Sequence, residues 1–145
     1  MTKQYQHNTV VRFANQIAIL AMKIGIAPKY QFILSVRGRK SGQIYSTPVY
    51  ILEDNSKRLL VSPYGEVAWV KNARAVGKIT LTKGAETKEY KINELSPKAS
   101  APILKKYLAL APITQPYFDA KSDAPVESFL AEALRHPVFE LAEVN

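Results

Sequence analysis

Ser35-Val36-Arg37-Gly38-Arg39-Lys40-Ser41-Gly42-Gln43 joins two strand-like runs, Phe32 to Val36 and Tyr45 to Leu52, and this strand–turn–strand decides how the rest of the chain reads. Glycines at 38 and 42 flank the Arg39-Lys40-Ser41 core, so the backbone can turn tightly and let a ligand come close. Arg37, Arg39 and Lys40 put three cations within four residues. With converging backbone N–H groups they suit an anion, most naturally a phosphate, whose oxygens match a guanidinium in bidentate geometry. The alternative, for such a turn taken alone, is a solvated basic hairpin tip.

Working outward, the pattern stays β-rich. Strands are expected at 31–37, 44–53 and 58–62, the last two joined by Asp54-Asn55-Ser56. Ser62-Pro63-Tyr64-Gly65 follows as a tight turn, and Glu66 opens a short helix over 67–75 that carries Trp69, Asn72 and Arg74 and stops at Gly77. Two further strands, 78–83 and 87–94, surround Gly84-Ala85. Ser96 and Pro97 read as N-cap and first residue of a helix to about Ala109. A loop over 111–124, a helix over Val126–Arg135 and a strand at Val138–Ala142 complete this half. Upstream, Val10, Phe13, Ile17, Ala21 and Ile24 recur at helical spacing, which predicts an amphipathic helix from Val10 to Ile26, ended by Gly25 and Pro28. Its apolar face suits the protein's own core or, as the alternative, a membrane surface. Short hairpin-linked strands with helices at the ends imply an α+β, mainly β fold: an antiparallel barrel with peripheral helices. A single domain over 1–145 is expected, with the amphipathic segment at 1–28, the barrel core at 29–95, and the later helices and closing strand at 96–145.

Composition narrows the function. The chain has no cysteine, so disulfides, thiolate metal sites and a cysteine nucleophile are excluded. His7 and His136 are its only histidines, and no metal site is expected. No signal peptide or membrane-spanning run is legible, which points to a cytoplasmic protein. The net charge of +8 is unevenly placed: residues 1–52 hold seven cations and no acid, whereas 119–145 hold six acids against two cations. Such a basic region fits a polyanionic cofactor, anionic lipid or nucleic acid. Nucleic acid is the weakest fit, because no aromatic ladder or recognised binding motif accompanies the cations.

Gly38-Arg39-Lys40-Ser41-Gly42-Gln43, then Thr47-Pro48-Val49-Tyr50, then Ser62-Pro63-Tyr64-Gly65, then Trp69 with Asn72, resembles the deazaflavin (F420)-dependent nitroreductase and F420H2-dependent quinone reductase family. Pro116-Tyr117-Phe118-Asp119 and Arg135-His136-Pro137-Val138-Phe139 are similar to one branch of it. The resemblance implies a six-stranded split β-barrel of the flavin-reductase-like superfamily. It also implies transfer of a hydride from reduced F420 to a quinone, a nitroaromatic or a similar small-molecule acceptor. F420 carries a phosphate and a glutamate tail, so Arg39, Lys40 and Ser41, with Arg37 and Gly42, are implied at its anionic end. Tyr45, Thr47 and Pro48 follow on the next strand. Ser62, Pro63, Tyr64 and Gly65 are implied beside the ring, with Trp69 and Asn72 buttressing that turn; plain core packing is the alternative for Trp69. Tyr50, Tyr117 and Phe118 are candidates for the acceptor side, and core packing is the alternative for each. No catalytic acid or base is singled out, since the cofactor carries the hydride.

The chain departs from the family pattern in two places. Ile44 and Tyr45 stand where the family usually has Pro-Arg, and Pro63 stands where the best-known branch has a lysine. One expected cation is thereby missing, which leaves FMN as the alternative cofactor and a non-catalytic binder of a flavin-like or lipid ligand as the alternative function. A homodimer is implied by split-barrel relatives.

Overall fold

The computed structural model describes residues 30–144, so the expected helix over 10–26 lies outside the described residues. Six strands close into a barrel: β1 (Gln31–Arg37), β2 (Ile44–Asp54), β3 (Lys57–Val61), β4 (Lys78–Lys83), β5 (Glu86–Glu94) and β6 (Val138–Glu143). Around the barrel the order is β1-β2-β3-β6-β5-β4, and every neighbouring pair is antiparallel. The expected six-stranded antiparallel barrel is therefore present, with the strand boundaries within a residue of those read from hydrophobic patterning.

Alternation along each strand fills the barrel. Leu34, Val36, Ile51, Leu60, Ile79, Leu81, Tyr90, Phe139 and Leu141 form one buried cluster, two residues apart wherever they share a strand. The helix α1 (Ala68–Val76) adds Val70 and Ala73 to the same cluster, with Trp69 packed against it. Residues of β3 and β6 that point the other way, Leu59, Val61 and Val138, belong to a second cluster. The helix α2 (Pro97–Leu110) covers them with Ala101, Leu104, Tyr107 and Leu108. Ser96 caps α2, its hydroxyl accepting from the Ala99 N–H at 3.2 Å, with Pro97 at the first helical position.

The expected helix over Val126–Arg135 is not formed. Two 3₁₀ turns stand there, Val126–Phe129 and Glu132–Leu134, after another at Pro112–Tyr117. Phe129 and Glu132, three residues apart, are both buried, and a three-residue period is what a 3₁₀ turn places on one side.

Strand directions assign the loops to two ends. The loop 38–43, the start of β4, and the turn at Ser62–Gly65 that leads into α1 share the upper end. The hairpin turns at Asn55-Ser56 and Gly84-Ala85 share the lower one.

Candidate functional site

The loop between β1 and β2 is held in shape by its own backbone. Gly38 N–H donates to Gln43 O at 2.7 Å, and Gly42 N–H donates to Gly38 O at 3.0 Å. Gly38 is closely packed: a Cβ there would lie 2.7 Å from Tyr45 Cε2 and 2.8 Å from Ser41 Oγ, so both side chains would have to shift. Gly42 adopts φ +74°, the left-handed region that glycine enters without penalty. Side chains add to this frame. Arg37 Nη1 donates to Gly42 O at 2.8 Å, and Ser41 Oγ accepts from Gln43 N–H at 3.1 Å and hydrogen-bonds Tyr45 Oη at 3.1 Å.

Arg39 is tied to α1. Its backbone N–H and its Nη1 both donate to Asn72 Oδ1, at 3.1 and 2.6 Å. Asn72 is buried, whereas Arg39, Lys40 and Ser41 stay exposed at the upper end. Asn72 thus braces the cationic loop, a different loop from the Ser62–Gly65 turn it was expected to buttress. Asn72 engages only one of the five guanidinium N–H groups of Arg39. Among the described residues no carboxylate pairs with Arg37, Arg39 or Lys40. Preorganised, exposed cations without an internal counter-charge fit the phosphate end of a cofactor.

The Ser62–Gly65 turn lies at the same end. Ser62 is fully buried and its Oγ donates to Gly65 O at 2.6 Å, while its N–H donates to Pro137 O at 2.9 Å. Its hydroxyl hydrogen is committed to the turn, so a hydrogen bond between Ser62 and a ring edge would be one that its oxygen accepts. Gly65 has φ +89°, and a Cβ there would meet Arg135 O at 3.2 Å. Glu66 does not cap α1; its Oε2 accepts from Arg74 Nη1 at 2.6 Å, and Arg74 also forms a two-pronged bridge to Glu94 at 2.8 and 2.7 Å. These carboxylates raise the Arg74 pKa and fasten α1 to β5.

Aromatic side chains flank the turn. Tyr64, 38% exposed, meets Tyr117 edge-on with ring centroids 4.8 Å apart. Phe118 is buried and stacks on His136 at 4.0 Å, which places it in the core rather than on an open acceptor face. Tyr50 packs edge-on against Tyr30 at 5.2 Å, toward the lower end of β2, and burial, with Tyr30 nearby, raises its pKa. Trp69 lies 6.1 Å from Phe139 and packs on the barrel core. Thr47 and Pro48 sit half-buried in β2, opposite Leu34 and Ile33.

Two groups escaped the sequence reading. Tyr107 is buried on α2, and burial together with the neighbouring Tyr64 and Tyr50 hydroxyls raises its pKa strongly. Only its place among the apolar positions 103, 104 and 108 could have signalled it. Beneath the turn lies Glu132, also buried, which accepts from Ala120 N–H at 2.6 Å and from Arg135, while Arg135 reaches Asp119 at 2.8 Å. His136 Nε2 stands 3.7 Å from Glu132 Oε1, and burial lowers the imidazole pKa. This cluster holds the Pro116–Asp119 segment, and hence Tyr117, against Tyr64.

Comparison with known proteins finds the same fold in solved structures. The structure described as an F420-H2 dependent reductase (FDR-A) has a TM-score of 0.56 and 20% identity, covering 79% of this chain and 95% of that one. A chain described as a domain-swapped dimer has a TM-score of 0.59 and 16% identity over 92% of this chain and 100% of its own. An FAD-binding protein from Mesorhizobium loti has a TM-score of 0.51 at 12% identity, over 87% and 89%. At these identities the likeness shows the fold. The curated proteins gave no match. A family model, F420H(2)-dependent quinone reductase, matches residues 6–124. The chain therefore belongs to the F420H2-dependent quinone reductase family and is an F420-dependent oxidoreductase.

Proposed function

We propose that the protein reduces a flat two-electron acceptor, a quinone or a nitroaromatic, at the upper end of the barrel. Reduced F420 (F420H2), when bound, would supply the hydride; the chain binds, orients and shields. Arg39 and Lys40, with Arg37 and the loop from Ser41 to Gly42, hold the anionic end. Tyr45, Thr47 and Pro48 continue that surface along β2. The turn from Ser62 through Pro63 and Tyr64 to Gly65 borders the ring, beside the helix that carries Trp69, while Asn72 holds the neighbouring cationic loop. The Tyr64–Tyr117 pair offers an aromatic wall to the acceptor, and the Tyr117 hydroxyl passes a proton from water to the acceptor oxygen. With the hydride, that proton completes reduction of a quinone to a hydroquinone.

The observation that carries this reading is the Arg39–Asn72 brace, which presents cations without an internal carboxylate partner among the described residues. The test follows F420H2 oxidation with a benzoquinone and with a nitrobenzene as acceptors, beside titrations of F420 and FMN. Turnover of either acceptor is expected. Tight FMN binding without F420 binding overturns the cofactor assignment, and F420 binding without turnover makes the protein a carrier. Replacing Tyr117 with Phe is expected to alter turnover while leaving F420 affinity nearly intact, whereas Tyr50, packed on Tyr30 toward the lower end, should leave both unchanged as Phe. Equal losses of turnover and affinity in Tyr117→Phe return that tyrosine to the cofactor site or the core.

The proposal includes a cytoplasmic homodimer. The relative described as a domain-swapped dimer supports it, as do Ile113 and Leu134, whose apolar side chains are 74% and 75% exposed. Among the described residues no helix is long and apolar enough to cross a membrane. Sedimentation of the purified protein checks the assembly.

A further inference from the structure

Among the described residues Glu132 is the only buried carboxylate. Its Oε2 accepts from Ala120 N–H at 2.6 Å and its Oε1 from Arg135 Nη2, with His136 Nε2 at 3.7 Å, beyond hydrogen-bond reach. Those two bonds run to different walls of the site. Ala120 closes the segment that carries Tyr117, and Arg135 grips the same segment again at Asp119 Oδ2, 2.8 Å away. Residues 135–137 also receive the ring-side turn. Pro137 O accepts from Ser62 N–H at 2.9 Å, and Arg135 O stands 3.2 Å from where a Gly65 side chain would begin. Tyr64, on that turn, then meets Tyr117 edge-on at 4.8 Å. The path from Tyr64 through the turn, residues 135–137, Glu132 and residues 117–120 back to Tyr64 is thus a closed ring of contacts, with the Glu132 carboxylate as its joint.

Stability alone does not require a carboxylate there. Taking a charge out of water is costly, and packed apolar side chains of similar volume often hold a fold as firmly. The outer Arg135–Asp119 pair is well solvated, with side chains 41% and 65% exposed, and adds little by itself. What an apolar residue cannot supply is direction. Two oxygens on one planar group fix the 117–120 segment and the 135–137 segment relative to each other. Burial lowers the His136 pKa, so at neutral pH the Arg135 guanidinium supplies the balancing charge.

We propose that Glu132 is a positioning residue that sets which acceptors the site takes, by holding Tyr117 edge-on against Tyr64. The proposal rests on the Tyr64–Tyr117 pair being the acceptor wall. Edge-on rings in contact leave no slot between them, so a flat acceptor lies against the wall and its width matters. A released Tyr117 swings aside and admits a wider ring system. Glu132, buried beneath the turn, acts through Tyr117 and not by touching the acceptor.

The test compares a benzoquinone with a naphthoquinone in the parent and in Glu132→Gln. The amide keeps the shape and an oxygen for Ala120 N–H but loses the charge that holds Arg135. The ratio of the two kcat/KM values does not depend on how much enzyme is folded, so a purely stabilising role leaves it unmoved. It is expected to shift about tenfold toward the naphthoquinone, the size of one charge-assisted contact, with F420 affinity within about twofold of the parent. In a Tyr117→Ala background the same substitution should shift the ratio less than about twofold, since the residue it acts through is gone. Arg135→Lys, which keeps the charge and loses the fork, should shift the ratio the same way and serves where Glu132→Gln does not fold. An unmoved ratio overturns the proposal, and so does an equal shift in the Tyr117→Ala background. A second measurement needs no turnover. In protein carrying 3-fluorotyrosine, the Tyr117 fluorine resonance is identified by its loss in Tyr117→Phe. Its displacement by the Tyr64 ring should vanish in Glu132→Gln as it does in Tyr64→Leu. If the parent reduces neither quinone, the acceptor reading itself fails; an unmoved resonance then overturns the positioning role as well, and a moved one upholds it.

Discussion

Arg39 is held by Asn72 through one guanidinium N–H and its own backbone, and is exposed elsewhere, so one side chain both shapes the loop and faces an anion. Charge-assisted bonds to phosphate are worth about 1.5–3 kcal/mol each. Replacing Arg39 and Lys40 with Ala is therefore expected to weaken F420 binding by roughly two to four orders of magnitude, at ~1.4 kcal/mol per tenfold. Titration of the deazaflavin absorbance reads this, and affinity should also fall as salt rises. Unchanged affinity in the double variant would make the loop a solvated turn. Asn72→Ala is expected to weaken binding by about tenfold, because it frees Arg39 without removing its charge. The cations and flanking glycines were legible from residue type and spacing alone. Their brace was not, because Asn72 lies 33 residues away and only the folded barrel brings it near. His136 supports a pH prediction. Burial lowers its folded pKa below the unfolded value near ~6.5, despite the opposing pull of Glu132. Between those two values the unfolded chain binds more protons, so stability is full above ~6.5 and falls as pH drops toward the folded value. Melting temperature measured across that window should decline less in His136→Gln than in the parent.

Turns and short helices tell a different story, since their chemistry was legible and their geometry less so. Asn55 and Ser56 have φ of 52° and 66°, the paired left-handed values of a two-residue hairpin turn. Asparagine tolerates that region well, whereas serine does so at a cost. Ser56→Gly is expected to stabilise the protein by up to about 1 kcal/mol, read as a higher urea midpoint, because relief of ~1–2 kcal/mol of left-handed strain outweighs the freedom glycine adds to the unfolded chain. Gly65 is the opposite case. A side chain there meets both φ +89° and the Arg135 carbonyl, so Gly65→Ala should cost about 1–2 kcal/mol and displace the Ser62–Gly65 turn. A variant that melts and binds F420 like the parent would show the turn to be slack. The stretch 126–135 was misread because its composition permits a helix. What breaks it is tertiary: Phe129 and the bound Glu132 carboxylate are drawn inward at a spacing of three. That carboxylate has no sequence signature, since its partner is a backbone N–H at Ala120.

The barrel interior and the layer under α2 share β3 and β6, with Leu60 and Phe139 facing in and Leu59 and Val138 facing out. Shared strands make separate unfolding of the two layers unfavourable. Trp69, the only tryptophan, sits 6.1 Å from Phe139 and reports on the barrel interior. Its fluorescence and the far-UV dichroism should therefore lose native signal at the same urea concentration. Separate midpoints would divide the chain into two units. Fold class was legible because hairpin spacing and alternation are local. Strand order was not, for β6 pairs with β3 and β5 across most of the chain. That insertion has a consequence during synthesis. While the ribosome tunnel still encloses residues 138–143, β3 and β5 each present a bare edge, and the nascent sheet stays open. Until residues 138–143 emerge, the nascent barrel is an open five-stranded sheet with two sticky edges, the stage at which a chaperone at the tunnel exit matters most.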